Sequence, residues 1–204
     1  MRDYTSTIRD LNPFPWIFKS TYKVNFEEME DKVLGYINTV NTYGGISGVC
    51  NIDGTPKYDE PHKWKEFEYF VQEKLAESVK EIWKKWNLSQ SYMPNILCSN
   101  ISQGNNLRTH YHQKTTIVCI LYLYVPKDSG RLLIQDPMDI YNHSRPLDDT
   151  DTRWTHIDVK TNDVLFFPGF VKHRNEPGSS KYAVLFNIGC HFLTFLLEYL
   201  TESL

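Results

Sequence analysis

Three histidines constrain the fold of this chain more than any other feature. His110 and His112 flank one residue, and His173 ends the segment Phe167-Pro-Gly-Phe-Val-Lys-His. On an extended strand, side chains at positions i and i+2 point to the same face, about 7 Å apart along the backbone. A distant strand carrying His173 to that face would complete a set of nitrogen ligands and leave other coordination positions open. The pattern therefore predicts a catalytic metal site, and it favours non-haem iron.

The sequence on both sides of the histidine pair predicts β-structure. Asn95–Gln103 has the apolar content of a strand and is followed by the turn residues Gly104-Asn-Asn. Ile117–Val125 is an almost continuous apolar and aromatic run closed by Pro126, which predicts a strand buried on both faces. Further strands are predicted at Arg131–Gln135, His156–Val159, Asp163–Pro168 and Lys181–Gly189.

Helical periodicity is confined to the first part of the chain. It predicts one helix over Glu27–Asn41 and a second from about His62 to Trp86. Six to eight strands are expected after Asn87, in a single domain spanning residues 1–204, with a helical support region at 1–90 and a β-core at 91–190. The polar stretch 138–156 is long enough to predict a functional loop.

Charge and cysteine usage limit the possible classes of protein. A net charge of -3 over 204 residues predicts no nucleic-acid partner, and no apolar run reaches the length needed to cross a bilayer. The four cysteines form no Cys-x-x-Cys pair, which favours free thiols in a reducing cytoplasm. We therefore expect a cytoplasmic protein without a membrane partner, and a homodimer is one possible oligomeric state.

A series of short motifs resembles the 2-oxoglutarate-Fe(II) oxygenases, and within them a small bacterial and phage branch. The motifs extend the histidine pattern in a fixed order, and with the two helices they cover most of residues 12–190. They are Asn100, His110-x-His112, Tyr122, Pro126, Ser129-Gly130, Asp136-Pro137, Phe167-Pro168, His173 and Phe186-Asn187. The resemblance implies a mainly β, α+β fold with N-terminal helices: a double-stranded β-helix, or cupin-like jelly-roll barrel.

The resemblance also implies the cofactors, Fe(II) and the co-substrate 2-oxoglutarate, and the residues that bind them. His110, His112 and His173 would be the metal ligands, although the family's usual carboxylate position is taken here by His112. Either three imidazoles bind the metal, or two do and water completes the set. Lys181 stands where the family usually has an arginine that holds the distal carboxylate of the co-substrate.

Three further residues are candidates for cofactor binding. Strand alternation places Lys181 and Asn187 on one face, beside Ala183 and Leu185, as in the lining of a polar pocket. Tyr122 matches a tyrosine of the family whose hydroxyl could reach the co-substrate, although core packing would equally explain it. Asn100, on the strand before the histidine pair, is a candidate of the same kind.

The activity that the resemblance implies is hydroxylation of an amino-acid side chain, in a small molecule or in a peptide. Two other classes remain open from the sequence. One is a three-histidine, cupin-like metal oxygenase that needs no 2-oxoglutarate. The other is a non-catalytic jelly-roll protein with a binding or structural role, in which the histidines are remnants.

Overall fold

A computed structural model describes residues 9–11, 14–42, 60–87, 92–104, 108–137 and 154–192. The helical part contains α1 (Glu30–Thr42), a 3₁₀ turn (Pro61–Lys63), α2 (Lys65–Tyr69), a π-helical turn (Phe70–Leu75) and α3 (Ala76–Lys85). The strands are β1 (Arg9–Leu11), β2 (Phe14–Thr21), β3 (Tyr92–Gln103), β4 (Ile117–Tyr124), β5 (Leu132–Gln135), β6 (Trp154–Ile157), β7 (Asp163–Pro168), β8 (His173–Asn175) and β9 (Tyr182–Phe192).

The strands form two sheets in which every ladder is antiparallel. The larger sheet has the order β1-β2-β7-β4-β9-β3, and the smaller one has the order β6-β5-β8. Within the described ranges, no ladder joins the two sheets into a closed barrel. The helices cover one face of the larger sheet, and the smaller sheet packs against its other face.

This arrangement explains why β4 is apolar along its whole length. Its alternate residues Ile117, Cys119 and Leu121 belong to the helix-side core, which also contains Phe70 and Phe186. The residues between them belong to the core under the smaller sheet, which lies next to the histidines; they are Val118, Ile120 and Tyr122. The prediction of a strand buried on both faces is therefore confirmed.

Several predicted element boundaries are corrected by the structure. The first helix begins at Glu30, because Phe26 to Met29 form a turn closed by the Met29 N–H on the Phe26 carbonyl at 3.0 Å. The second helix is not one uniform α-helix: the π-helical turn interrupts it and places Phe70 and Leu75 in the core. The predicted loop 138–156 ends earlier than expected, since Trp154–Ile157 is a strand; residues 138–153 lie outside the described ranges.

Two of the four cysteines can be assessed. Cys98 and Cys119 are both free thiols, and Cys119 is buried in the helix-side core. The side chains of Cys50 and Cys190 lie outside the described part of the chain. Among the helices that the structure describes, none is long and apolar enough to span a membrane.

Candidate metal centre and adjoining pocket

Backbone hydrogen bonds bring the three histidines together. His110 and His173 exchange both of their backbone N–H···O=C bonds at 3.0 Å, and the His112 N–H donates to the Gly169 carbonyl at 2.8 Å. The expectation that His110 and His112 lie on a regular strand is wrong, since the segment around them forms only this isolated bridge. The two rings nevertheless reach the same place, because both residues are tied to the segment 169–173.

The three imidazole rings form a compact cluster. Their closest ligand nitrogens all lie within 4.8 Å of one another, and the ring centroids are 4.3 to 5.3 Å apart. The Nε2 atoms of His112 and His173 are 3.4 Å apart. Within the described residues this is the group of three that could hold a metal ion.

The donor set fits a metal ion of the nitrogen-preferring kind. The Nδ1 atoms of His110 and His173 lie 2.8 Å and 3.0 Å from the backbone carbonyls of Arg108 and Val171. A carbonyl can only accept, so each Nδ1 carries the proton and each Nε2 presents a lone pair towards the cluster.

Burial keeps two of these imidazoles neutral. Desolvation, with a smaller contribution from the neighbouring His110, lowers the pKa of His173 to about 3 and that of His112 to about 4. A neutral imidazole is the form that binds a metal. Both rings are therefore in the ligand form at neutral pH.

The turn between β7 and β8 needs a glycine for close packing. A Cβ added at Gly169 would lie 2.1 Å from the Thr115 carbonyl oxygen. This close approach lets the Gly169 carbonyl accept the hydrogen bond from His112. On the other side of the cluster, the Phe167 ring packs edge-on against His173 with a centroid distance of 4.9 Å.

A narrow cavity of about 50 Å³ leads from the histidines into the space between the two sheets. Its lining contains both polar groups and apolar side chains. The lining residues are Ser102, Gly104, His110, His112, Ile120, Tyr122, Leu132, His173, Asn175, Lys181, Ala183 and Leu185.

Lys181 is a buried cation in this cavity. Its side chain is 1% exposed, and its ammonium donates to the Gly130 carbonyl. No carboxylate lies within ion-pair distance of it among the described residues, and burial lowers its pKa to about 8 despite the opposing effect of the Glu176 charge. A buried ammonium without an anionic partner is costly, because it has lost its hydration and gains no ion pair in return.

The other predicted residues occupy different parts of the site. Tyr122 is buried in the cavity wall, where desolvation raises the pKa of its phenol. Asn187 is buried beside His112, and its Oδ1 lies 3.4 Å from the Thr115 hydroxyl. Asn100 pairs with Leu185 on the cavity-facing side of β3, but it is not part of the cavity lining.

Strand alternation also accounts for Arg174. Its guanidinium faces away from the cavity and stacks over the Trp154 ring at 4.5 Å, as expected for a residue next to a ligand on a strand. Sequence reasoning missed Asn175 and Gly104, both of which line the cavity. The signal for Asn175 was available, because it lies two residues after His173 and therefore on the same strand face.

Comparison with known proteins finds a match within the β-core. The family model described as "Putative 2OG-Fe(II) oxygenase" matches residues 98–184, which is less than half of the chain. No curated protein matches the sequence.

Among solved structures, HygX from Streptomyces hygroscopicus with nickel and 2-oxoglutarate bound is similar at a TM-score of 0.52 and 12% identity, over 85% of this chain and 82% of that chain. The non-heme monooxygenase ThoJ in its nickel complex has a TM-score of 0.50 and 10% identity, over 79% of this chain and 67% of that chain. A 2OG-Fe(II) oxygenase family protein from Burkholderia pseudomallei has a TM-score of 0.48 and 9% identity; this chain spans 60% of its length.

At these identities the structural likeness establishes the fold. It confirms the predicted double-stranded β-helix; in the described part of the chain its two facing sheets are not joined into a closed barrel. The resemblance to the 2-oxoglutarate-Fe(II) oxygenases that the sequence predicts is likewise confirmed, over the segment 98–184 that carries all three histidines.

Proposed function

We propose that this protein is an Fe(II)- and 2-oxoglutarate-dependent dioxygenase that hydroxylates an amino-acid side chain, either free or within a peptide. One observation carries the proposal: a cluster of three imidazole nitrogens and a buried ammonium, which has no carboxylate partner among the described residues, line the same cavity. The first suits a divalent metal and the second suits a carboxylate. A dicarboxylic keto acid can satisfy both.

In this proposal, the residues of the chain bind and orient the iron and the 2-oxoglutarate. His110, His112 and His173 would hold iron through their Nε2 atoms, and Lys181 would hold the distal carboxylate of 2-oxoglutarate. Bound iron and 2-oxoglutarate supply the oxidation: 2-oxoglutarate, O₂ and a substrate C–H give succinate, CO₂ and a C–OH. The apolar lining excludes water, which strengthens the interaction of Lys181 with the carboxylate; it includes Ile120, Leu132 and Leu185.

Two exposed aromatic side chains support a substrate that makes apolar contacts. Tyr111, between the first two histidines, is 47% exposed, and Phe170, in the turn before His173, is 66% exposed. Exposed aromatic groups close to a reactive site are typical of recognition surfaces. The choice of an amino-acid side chain as the oxidised group follows the family resemblance.

A specific observation favours the second candidate, a metal oxygenase independent of 2-oxoglutarate. The third ligand position is an imidazole, so the ligand set is neutral and contains no carboxylate. Lys181 argues against this candidate. Burying a cation without an anionic partner among the described residues is costly, and an oxygenase that binds no 2-oxoglutarate would have no anion to offset that cost.

Anaerobic titration of the metal-free protein with Fe(II) and then with 2-oxoglutarate tests the proposal. We expect a weak visible charge-transfer band of the chelated keto acid, lost in His173→Ala and weakened in Lys181→Met. The matched control is Lys160→Met, which removes an exposed lysine and should keep the band. Iron binding without a band would favour the cupin-like oxygenase, and no iron binding would favour a non-catalytic protein.

A substrate screen then tests the hydroxylation step. Free amino acids and short peptides are supplied with Fe(II), 2-oxoglutarate and O₂, and succinate and a mass increase of one oxygen are measured together. Succinate formed with a matching oxidised product supports the proposed substrate class. Succinate formation stimulated by another class of compound would contradict it.

A further inference from the structure

Asn175 is a buried polar residue whose side-chain oxygen has no hydrogen-bond partner within the described part of the chain. It is 9% exposed, and its Oδ1 is buried without a hydrogen-bond partner among the described residues. A buried amide oxygen in that state has lost its hydrogen bonds to water without replacement, so its retention calls for an explanation. The residue lines the same cavity as the histidines and Lys181.

Gly104 shows how closely Asn175 and Lys181 are packed. A Cβ added at this glycine would lie 2.7 Å from Asn175 Nδ2 and 3.2 Å from Lys181 Cε. The amide and the lysine arm therefore lie side by side against the same point of the backbone. The Gly104 N–H also donates to the Lys181 carbonyl at 2.8 Å, which holds this point against the start of β9.

The position of Asn175 along β8 suits the far end of a short ligand. His173 and Asn175 point to the same face of the strand, about 7 Å apart along the backbone. A keto acid that meets the metal cluster at His173 would present its other end to Asn175 and Lys181. Both ends of such a ligand would then find partners on one short strand.

A lysine alone is an incomplete carboxylate receptor. It supplies a point charge, whereas an arginine would supply two parallel N–H donors that match both carboxylate oxygens. A carboxylate cannot donate to the Asn175 oxygen, but a flip of the amide by about 180° exchanges its oxygen and nitrogen. The buried position without a partner is then occupied by the N–H₂ group, which can donate to a carboxylate. Lysine and asparagine side by side therefore provide the charge and the directed donor that an arginine would combine.

We propose that Asn175 is a second binding residue for the distal carboxylate, and that it makes the pocket selective for a dicarboxylic keto acid. This inference rests on the proposed function, because it assumes that 2-oxoglutarate occupies the cavity. Gly104 leaves the space in which the Asn175 amide and the Lys181 ammonium can approach the same carboxylate.

The test is a comparison of two keto acids by calorimetry on the nickel-loaded protein, without turnover. 2-Oxoglutarate carries the distal carboxylate, and 2-oxopentanoate has the same chain length and lacks it. We expect Asn175→Ala to bind 2-oxoglutarate roughly tenfold more weakly or worse, as for a lost hydrogen bond to a charged group, and to bind 2-oxopentanoate unchanged. Asn175→Asp, of nearly equal size, should reduce the affinity for 2-oxoglutarate further, because the two carboxylates repel each other.

Two controls separate binding from structure. Asn95→Ala removes an exposed asparagine elsewhere and should change neither affinity. Asn175→Ser keeps a small polar group at the site and serves if the alanine variant does not fold.

The outcomes are distinct. If the Asn175 variants bind both acids with equally reduced affinity, or keep the wild-type preference, the inference is wrong while the proposed function stands. A wild-type protein that binds neither acid would overturn both.

Discussion

At the scale of single residues, the site is defined by charge placement. Burial keeps His112 and His173 of the metal cluster neutral, and the charge of the cavity comes from Lys181, which is buried and has no carboxylate partner among the described residues. A buried cation of this kind lowers the stability of the free protein, and it would interact favourably only with a bound anion. Stability measurements on the free protein can therefore reveal a binding residue.

Lys181→Met should stabilise the protein at pH 7 in the absence of ligands, by about 3 kcal/mol as an upper estimate. The folded-state pKa of Lys181 is about 8, below the ordinary value of 10.5, so folding disfavours the charged form. The destabilisation is complete below pH 8 and disappears as the pH rises through 10.5, when the unfolded chain is neutral too. Urea unfolding at pH 7, 8.5 and 10 measures this trend.

The control for this prediction is Lys160→Met, an exposed lysine whose replacement should show no such trend. A Lys181→Met variant that is less stable than wild type at every pH would contradict the prediction. It would mean that the hydrogen bond to Gly130 outweighs the desolvation of the ammonium.

At the scale of elements, two segments far apart in sequence hold the metal cluster in place. The irregular stretch around His110 and His112 gains its shape from backbone hydrogen bonds to the β7–β8 turn and to β8. β8 in turn pairs with β5 over three residues. The ligand positions therefore depend on backbone packing between segments, more than on the regularity of the strand that carries the histidine pair.

Gly169→Ala should loosen the metal site. The added Cβ meets the Thr115 carbonyl, which belongs to the backbone and cannot turn away, so the β7–β8 turn must shift and weaken the hydrogen bond to His112. We expect nickel affinity to fall roughly tenfold or more, with a stability loss of about 1–3 kcal/mol. Nickel titration and urea unfolding measure the two effects.

Gly35→Ala is the matched control, because nothing lies within 4 Å of a Cβ at that position in α1. It should leave nickel affinity unchanged and stabilise the helix by about 0.5–1 kcal/mol. Equal nickel affinity in both variants and in wild type would show that the turn does not position His112.

At the scale of the whole molecule, the two faces of the larger sheet pack into two separate hydrophobic cores. Strands β4, β7 and β9 contribute alternate side chains to the helix-side core and to the core under the smaller sheet. Loss of either core exposes one face of the same strands. This coupling supports the prediction of a single domain, which stays a prediction for residues 1–204.

Unfolding should accordingly be one cooperative transition, and bound metal should raise the midpoint of that single transition. Free nickel at one hundred times its dissociation constant should stabilise the protein by about 2.7 kcal/mol, because the assembled cluster binds the ion better than the unfolded chain does. Thermal unfolding followed by tryptophan fluorescence and by far-ultraviolet circular dichroism should give the same midpoint with each probe. A metal-dependent shift that remains in His173→Ala, or separate midpoints for the two probes, would contradict this expectation.

The sequence by itself determined much of the architecture. Alternation and apolar runs predict β4 and β7, whose bounds differ by at most one residue from the observed ones, because burial on two faces leaves a continuous signal. The spacing of the histidines predicts their convergence, and alternation predicts the common face of Lys181 and Ala183. These features depend on the local periodicity of the chain, which can be read from the sequence without knowledge of the fold.

Only the tertiary structure decided the rest. β8 has three residues, too short for any period, and it exists because β5 and His110 supply its backbone partners. The burial of Lys181 cannot be read from the sequence, and neither can the Asn175 oxygen that lacks a partner among the described residues. Both depend on the approach of Gly104 and Gly130 from distant turns. Hydrogen-bond satisfaction is a property of the packed molecule, so the residues that we propose to hold the distal carboxylate emerge only when its parts are assembled.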